Sequence, residues 1–553
     1  MSHPIPRLKR SPRRSPKRTA GAAVAAACLA LTAACSGTGE AASGKGKIVE
    51  DAGPPQDGGV LHTAATADAP SLDIQKEASY MTHVAVGTVY SRLVAPKTGK
   101  DIPYGSSELE GDLAEDWSKS EDLKTWTFNL RKGVKFHDKP PVSGRELTSA
   151  DVECTVDRIK SLPGHQLGLV ADVKKLETPD PYTVVFTLAS ANTAFDQTMA
   201  NPFMAILPCE GTKGEFNLAE EAIGTGPFVL KSWKRDQERV MEKNPNYFIE
   251  GLPHLDGIQT TVLPDAQAQI AALRSGKLDM ISSLSTEKRQ VDQLLSQIDG
   301  LQLRTEKGIT QTRVFMNAEK GPFSKLGVRR AVAHAIDKEG MIKALRSGGT
   351  LTGPISPTLF GALPQDEVEE LLEYDPEKAK KLLADAGYPN GFEAELVATD
   401  GYGETILREA QWVQEDLGKI GIELTIDQQD YATYVSSTWP EANYDIMYGL
   451  QTPMLTADEY LTSEYTSAGT RNWSLVNDPE LDKMVAAQRV ITDEAQREKA
   501  LQDIERYIME NVSTPLPLYA YDTQTLYSGK LHDYYPHPDY SSRELQSMWM
   551  EQE

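Results

Sequence analysis

The sequence predicts a mixed α/β protein of two or three domains, and three observations carry that reading. The chain has 553 residues, 40% hydrophobic and 25% charged, enough to bury a large core and too many for one ordinary domain. Short β-rich runs alternate with amphipathic segments along most of its length. Gly (41) and Pro (33) are near average, which excludes a collagen-like or wholly disordered chain.

The first element is a processing signal. Arg7, Lys9, Arg10, Arg13, Arg14, Lys17 and Arg18 precede an apolar run from Ala20 to Ala34 that ends in small residues before Cys35. That order is the charged, apolar and cleavage regions of a secretory signal over residues 1–34, and the run falls short of the roughly 20 residues a spanning helix needs. Leu31-Thr32-Ala33-Ala34-Cys35 resembles a bacterial lipoprotein box, with Thr32 where that pattern prefers Leu. Lipidation of Cys35 is the expectation, and residues 35–57, rich in Gly, Ala, Ser and acids, read as a flexible tether.

Strands follow with helices between them. Trp126, Phe128 and Leu130 alternate with Thr127 and Asn129, Thr183 to Leu188 is β-rich, and Ile422 to Ile426, Tyr444 to Gly449 and Leu516 to Tyr521 are similar. Val328, Ala331, Val332, Ala335, Ile336 and Ile342 share one helical face. Asp375 offers an N-cap, Pro376 a first helical position and Gly387 a stop, with Glu377 and Lys381 paired at i,i+4; Asp478-Pro479-Glu480 opens another helix in the same way.

The net charge of −23 includes the seven positive charges of the N-terminal signal, so their removal leaves −30. A surface that acidic repels phosphate backbones, and no basic patch offsets it, so no nucleic-acid partner is expected. Cys28 leaves with the signal; Cys154 and Cys209 remain, and outside the cell such a pair reads as a disulfide, with two buried thiols as the alternative.

Catalytic motifs are absent or out of place. Gly39 to Lys45 fits a phosphate-binding loop, but Gly46 replaces the hydroxyl residue and the motif lies in the tether. Gly224-Thr225-Gly226-Pro227 reads as a turn into a strand. Ser285-Thr286-Glu287-Lys288 and Lys97-Thr98-Gly99 are pieces of a penicillin-recognising enzyme in reversed order. His532 and His537 are five apart in a Tyr/Pro-rich loop, read as solvated rather than as a metal pair. No enzyme activity, metal or cofactor is expected.

Several ordered blocks carry a family likeness. Ala114-Glu115-Asp116-Trp117, Trp126 through Asp138 and Ala150-Asp151-Val152 resemble the signature of bacterial family 5 extracellular solute-binding proteins, the receptors of dipeptide, oligopeptide and nickel ABC importers. Ser71-Leu72-Asp73, Gly224 through Phe228 leading to Asn244-Pro245-Asn246-Tyr247-Phe248, Val328 through Asp337, Asp375 to Tyr388 and Tyr444-Asp445 extend it over roughly residues 58 to 540. The resemblance implies a two-lobed periplasmic-binding-protein-like α/β fold with a hinge and an extra α/β domain inserted in lobe I. Carried onto this chain, lobe I is 58–90, 218–308 and 521–553, the insert 91–217 and lobe II 309–520. Cys154 and Cys209 then share the insert, whose core takes Trp117, Trp126, Phe128 and Phe136.

The function so implied is capture of peptides or peptide-like solutes between the lobes by a lipid-anchored monomer, and delivery to the permease subunits of an ABC importer. The alternatives are an oligosaccharide or a nickel-metallophore in the same fold and, more distantly, a secreted hydrolase. Expected ligand contacts are Ser79, Tyr80, Arg313, Tyr431, Trp439, Leu450, Gln451 and Thr452. In peptide-binding relatives an Asp in the loop after the Tyr-Asp strand holds the ligand's amino group. That place falls near Pro453 here, without an acid, and Asp458 substitutes only if the loop is rearranged.

Overall fold

The computed structural model describes residues 53–552 apart from 78, 165, 283–287 and 452–453. The signal, Cys28, Cys35, most of the tether, Ser285-Thr286-Glu287 and Thr452 therefore lie outside the described residues.

Three sheets organise the chain. A seven-stranded sheet runs in the order Leu301–Glu306, Thr523–Ser528, Met280–Ile281, Val60–Ala65, Gly257–Val262, Glu238–Lys243, Phe228–Lys234. Val60–Ala65 and Gly257–Val262 pair in parallel at its centre, Val60 opposite Gly257. A six-stranded sheet follows the order Gly349–Leu351, Leu516–Tyr521, Gln311–Met316, Ile446–Leu450, Phe392–Thr399, Ile422–Gln429. Between the first and later strands of the seven-stranded sheet, the chain builds a four-stranded sheet from Ala114–Lys119, Thr125–Leu130, Thr183–Leu188 and Val173–Asp180. The seven-stranded sheet is the frame of lobe I, the six-stranded one that of lobe II, and the four-stranded one that of the inserted domain.

Each sheet has its own core. Val314, Met316, Leu396, Ile446 and Leu518 of lobe II pack with Val328, Ala331, Val332, Leu383 and Val413 from the overlying helices. Trp126, Phe128, Phe136 and Phe186 are the centre of the insert. Trp117 is only partly buried; its indole donates to Asp196 Oδ2 at 3.2 Å, which holds it at the rim of that core. Cys154 and Cys209 are bonded to each other, 5.4 Å apart at Cα, tying the helix Ser149–Ser161 to the segment that leaves the insert. A link across 55 residues of sequence restricts the unfolded chain, so replacing both cysteines by Ser is expected to lower the insert's stability by about 2–4 kcal/mol. Urea unfolding with and without a reductant checks this: reduction should reproduce the loss in the native protein and change nothing in the double variant.

Local signals acted largely through their caps. Asp375 accepts hydrogen bonds from the Glu377 and Lys378 amides to start the helix Pro376–Asp385, and Asp478 does the same for Pro479–Gln488. Two readings are corrected. The face from Val328 to Ile342 is split into helices Leu326–Ala335 and Lys338–Leu345, because Asp337 turns its carboxylate onto the Gly340 amide and caps a new helix. Glu377 pairs with Lys380 at 2.8 Å, one position short of Lys381. The Gly224 and Gly226 turn is confined by a close approach, since a Cβ on either would lie within 2.4 Å of the Val89 or Thr88 carbonyl oxygen.

The chain crosses between the two large sheets twice, from Leu301–Glu306 to Gln311–Met316 and from Leu516–Tyr521 to Thr523–Ser528. The crossings touch: a Cβ on Gly308 would lie 1.8 Å from the Tyr521 carbonyl oxygen, and Lys307 Nζ is 3.7 Å from Asp522 Oδ1. Two adjacent strands of chain with little side-chain bulk between them form a hinge about which the lobes can rotate.

Candidate functional site: a cavity between the lobes

A cavity of about 1130 Å³ lies between the two lobes. Lobe I contributes Ser79, Tyr80, Arg304 and the segment from Tyr534 to Glu544; lobe II contributes Tyr402, Tyr431, Trp439, Leu450, Gln451, Arg471 and Trp473; Gln166 reaches it from the insert. The walls are drawn together by contacts across the gap. Asn201 Nδ2 of the insert donates to Glu459 Oε1 of lobe II at 2.6 Å, Arg489 Nη1 of lobe II to Asp172 Oδ2 of the insert at 2.7 Å, and Ser347 Oγ of lobe II to Gln524 Oε1 of lobe I at 3.0 Å. This is a closed arrangement.

Each wall residue is placed by where its element ends. Ser79 precedes the helix Tyr80–Val86, so both residues stand at a helix mouth facing the gap, with the Tyr80 ring 5.8 Å from that of Tyr540. Tyr431 opens the short helix Tyr431–Thr433, packs edge-on against Tyr402 at 5.2 Å, and turns its hydroxyl toward Ser79 of the other lobe. Burial raises its phenol above the ordinary value, so it enters as a neutral donor and acceptor. Trp439 is wedged among Phe315, Tyr434 and Trp473, with centroids 5.3, 5.8 and 4.4 Å away, and its indole N–H has no partner in the protein. Leu450 ends the strand Ile446–Leu450. Gln451 continues it by donating its amide to the Gln311 carbonyl at 2.8 Å, while neither polar atom of its buried side chain has a partner.

Arg313 is a correction. Its side chain is 0% exposed and does not reach the cavity: it is ion-paired with Glu464, donates to Gln311 Oε1 at 2.7 Å and to the Pro354 carbonyl at 3.1 Å, and lies beside the rings of Tyr460 and Tyr465. Asp458 does not supply the missing acid either, because Gln488 Nε2 at 2.5 Å and Arg489 Nε at 3.3 Å hold it outside the cavity. His532 stacks on Trp549 at 4.3 Å, and His537 is buried with Nε2 3.1 Å from the Ser106 carbonyl; the expected solvated loop is a packed one. Among the described residues no group of three metal-ligating side chains comes together, and no helix is long and apolar enough to cross a membrane.

Sequence reasoning missed the charged groups of the cavity. Arg346 reaches it but is held by both Glu409 oxygens at 2.6 and 2.9 Å. Arg471 is 6% exposed and its Nη1 has no partner. Glu544 is 8% exposed, its Oε2 has no partner, and burial with Asp539 nearby raises its carboxyl to about 8. Glu459, within reach of the Arg471 charge, is raised to about 7 by burial against the pull of that charge. Arg471 lies in Thr470-Arg471-Asn472-Trp473 and Glu544 in the irregular tail, where no period or motif marks a functional side chain.

The arrangement can hold a solute with both apolar and polar parts, and the groups named include no nucleophile and base set for bond cleavage. Comparison with known proteins agrees with that geometry. Residues 108–472 match the family model of bacterial extracellular solute-binding proteins, family 5. The chain is 28% identical to heme-binding protein A of Haemophilus influenzae over 466 residues, covering 78% of this chain and 81% of that one. Among solved structures it superposes at a TM-score of 0.79 and 26% identity on the ABC transporter-associated periplasmic binding protein DppA from Helicobacter pylori in complex with the peptide STSA, over 90% of this chain and 99% of that one. The PBP AgaA from A. tumefacien R10, in complex with agropinic acid, gives the same score, identity and coverage. With two lobes, an inserted domain, a hinge and a family match across two thirds of its length, the chain belongs to the bacterial extracellular solute-binding proteins of family 5.

Proposed function

We propose that the protein is the extracytoplasmic receptor of an ABC importer and captures peptides or peptide-like solutes in the cavity between its lobes. The observation that carries this reading is a cavity of about 1130 Å³ walled by both lobes, with an indole N–H and a glutamine amide left without partners. That volume stands at or above the roughly 300–1,000 Å³ of drug-sized ligand sites, room for several residues of peptide. A ligand touching both walls binds the closed state better than the open one and so shifts the population toward closure. The closed form is the one presented to the permease.

In this reading lobe I comprises 58–90, 218–308 and 521–553, the insert 91–217 and lobe II 309–520, with ligand contacts at Ser79, Tyr80, Tyr431, Trp439, Leu450, Gln451 and Thr452. Residues 1–34 are removed, Cys35 is lipidated, and residues 35–57 tether a monomeric body to the outer face of the membrane, within reach of the permease. The relatives' ligands are chemically diverse: a heme protein by name, a peptide and agropinic acid by complex. The peptide reading is favoured by the amide side chain of Gln451, which matches a peptide unit in offering one donor and one acceptor group.

Native mass spectrometry of the gently purified protein, followed by denaturation and identification of what it releases, tests the reading. A ladder of short peptides is expected. A sugar or a metal complex in their place would overturn the ligand class while leaving the fold intact.

A further inference from the structure

Two buried ionisable side chains of opposite type line the cavity, one on each lobe, and each keeps a polar atom without a partner in the protein. On lobe II, Arg471 is nine-tenths buried with Nη1 unpartnered. Glu459, whose ionisation Arg471 favours, is already engaged by Asn201 Nδ2 at 2.6 Å and by the Leu455 amide at 3.3 Å. The Trp473 ring lies 5.9 Å from the Arg471 guanidinium, so a planar acceptor can approach with the ring beside it. On lobe I, Glu544 is nine-tenths buried with Oε2 unpartnered.

The cations around Glu544 are committed elsewhere. Arg543, next in sequence, spends Nη1 on Asp112 at 3.0 Å and Nη2 on Glu110 at 3.1 Å, and only its Nε is left without a partner. Arg92 is held by Asp539 at 2.8 Å, Ser541 at 3.3 Å and the Ala200 carbonyl at 2.6 Å. Arg304 donates to Glu306 at 2.5 Å and to the Tyr534 carbonyl at 2.9 Å. The charge that acts on Glu544 is another carboxylate, Asp539, which opposes its ionisation further. A buried carboxyl without a counter-charge is costly to ionise, so Glu544 holds its proton until a cation meets it, and it stands across one ligand cavity from Arg471 on the other lobe.

We propose that the ligand is a zwitterion whose carboxylate is bound by Arg471 on lobe II and whose ammonium group is bound by Glu544 on lobe I. This deepens the peptide reading and rests on it: a free peptide carries both charges at its ends, and Gln451 faces the same space with one donor and one acceptor group. The site for the ammonium group is then on the C-terminal segment of lobe I rather than in the lobe II loop that follows the strand Ile446–Leu450. Because each lobe supplies one charge, only a ligand carrying both is held by both walls, so charge recognition and closure are the same event.

Calorimetry on the full-length protein with trialanine and tetraalanine tests it, each peptide supplied free, N-acetylated and C-amidated, with maltotriose as a neutral probe. Either cap is expected to weaken binding to the native protein roughly tenfold or more. Glu544→Gln should weaken the free peptide to a similar extent and abolish the distinction between free and N-acetylated forms; Arg471→Gln should abolish that between free and C-amidated forms. The capped peptides on the native protein decide the matter even where a variant fails to fold. Peptides that bind equally well with and without caps would overturn the proposal and leave peptide capture standing. Binding of maltotriose alone, or of no member of the panel, would overturn both.

Discussion

Arg313→Met is expected to destabilise the protein by about 3–5 kcal/mol. The guanidinium is 0% exposed and its ion-pair partner Glu464 is 1% exposed, so removing the cation strands a carboxylate in the core. Glu464 has no reserve, since its Oε1 already lacks a partner. The loss extends to Gln311, whose Oε1 accepts from Arg313 at 2.7 Å, and to the Pro354 carbonyl. Tyr460 and Tyr465, with rings 5.6 and 5.9 Å from the guanidinium, would face a gap in place of a cation. Urea unfolding measures the effect. Adding Glu464→Leu should recover much of the stability, because an apolar pair of similar volume avoids the stranded charge, and that recovery separates the buried pair from simple loss of packing. A variant that keeps its stability but loses ligand affinity would instead return Arg313 to the cavity.

Arg313 also shows where the sequence ceases to be legible. Its strand, Gln311–Met316, is buried at every position, so the alternation that tells one face of a strand from the other is erased. Half-buried strands keep the signal: Thr125–Leu130 alternates in burial as its residues alternate in type. Helix starts were legible because Asp375 and Asp478 act on amides within three residues of themselves. The cavity is less so. Tyr431, Leu450 and Gln451 reach it because they sit where elements stop and the family likeness marks those ends, whereas Arg471 and Glu544 are set apart only by what fails to pair with them in three dimensions. A missing partner leaves no trace in a sequence.

The titration of two carboxylates should give opposite pH dependences of peptide affinity, separable by variants. Glu459 is faced by Asn201 from the insert, Tyr540 from lobe I, and Arg471 and Glu464 from lobe II. Burial in the closed arrangement raises its carboxyl from 4.5 to about 7, so closure favours the protonated form. Its contribution to closure is complete below about 4.5 and is lost as pH rises through about 7, at up to about tenfold in affinity per pH unit. Glu544, faced by Asp539 and Tyr534, works the other way: its carboxyl is raised to about 8, and only its ionised form attracts an ammonium group, so affinity grows as pH rises toward that value. His83 does not interfere, since burial holds it near 3 and it stays neutral throughout. In Glu459→Gln, which keeps an acceptor for Asn201, calorimetry with trialanine between pH 5 and 7 should show affinity rising with pH. In Glu544→Gln it should fall over the same range, and in the native protein the two slopes should largely cancel. Slopes of the same sign in both variants would mean that closure and charge recognition are not coupled through these groups.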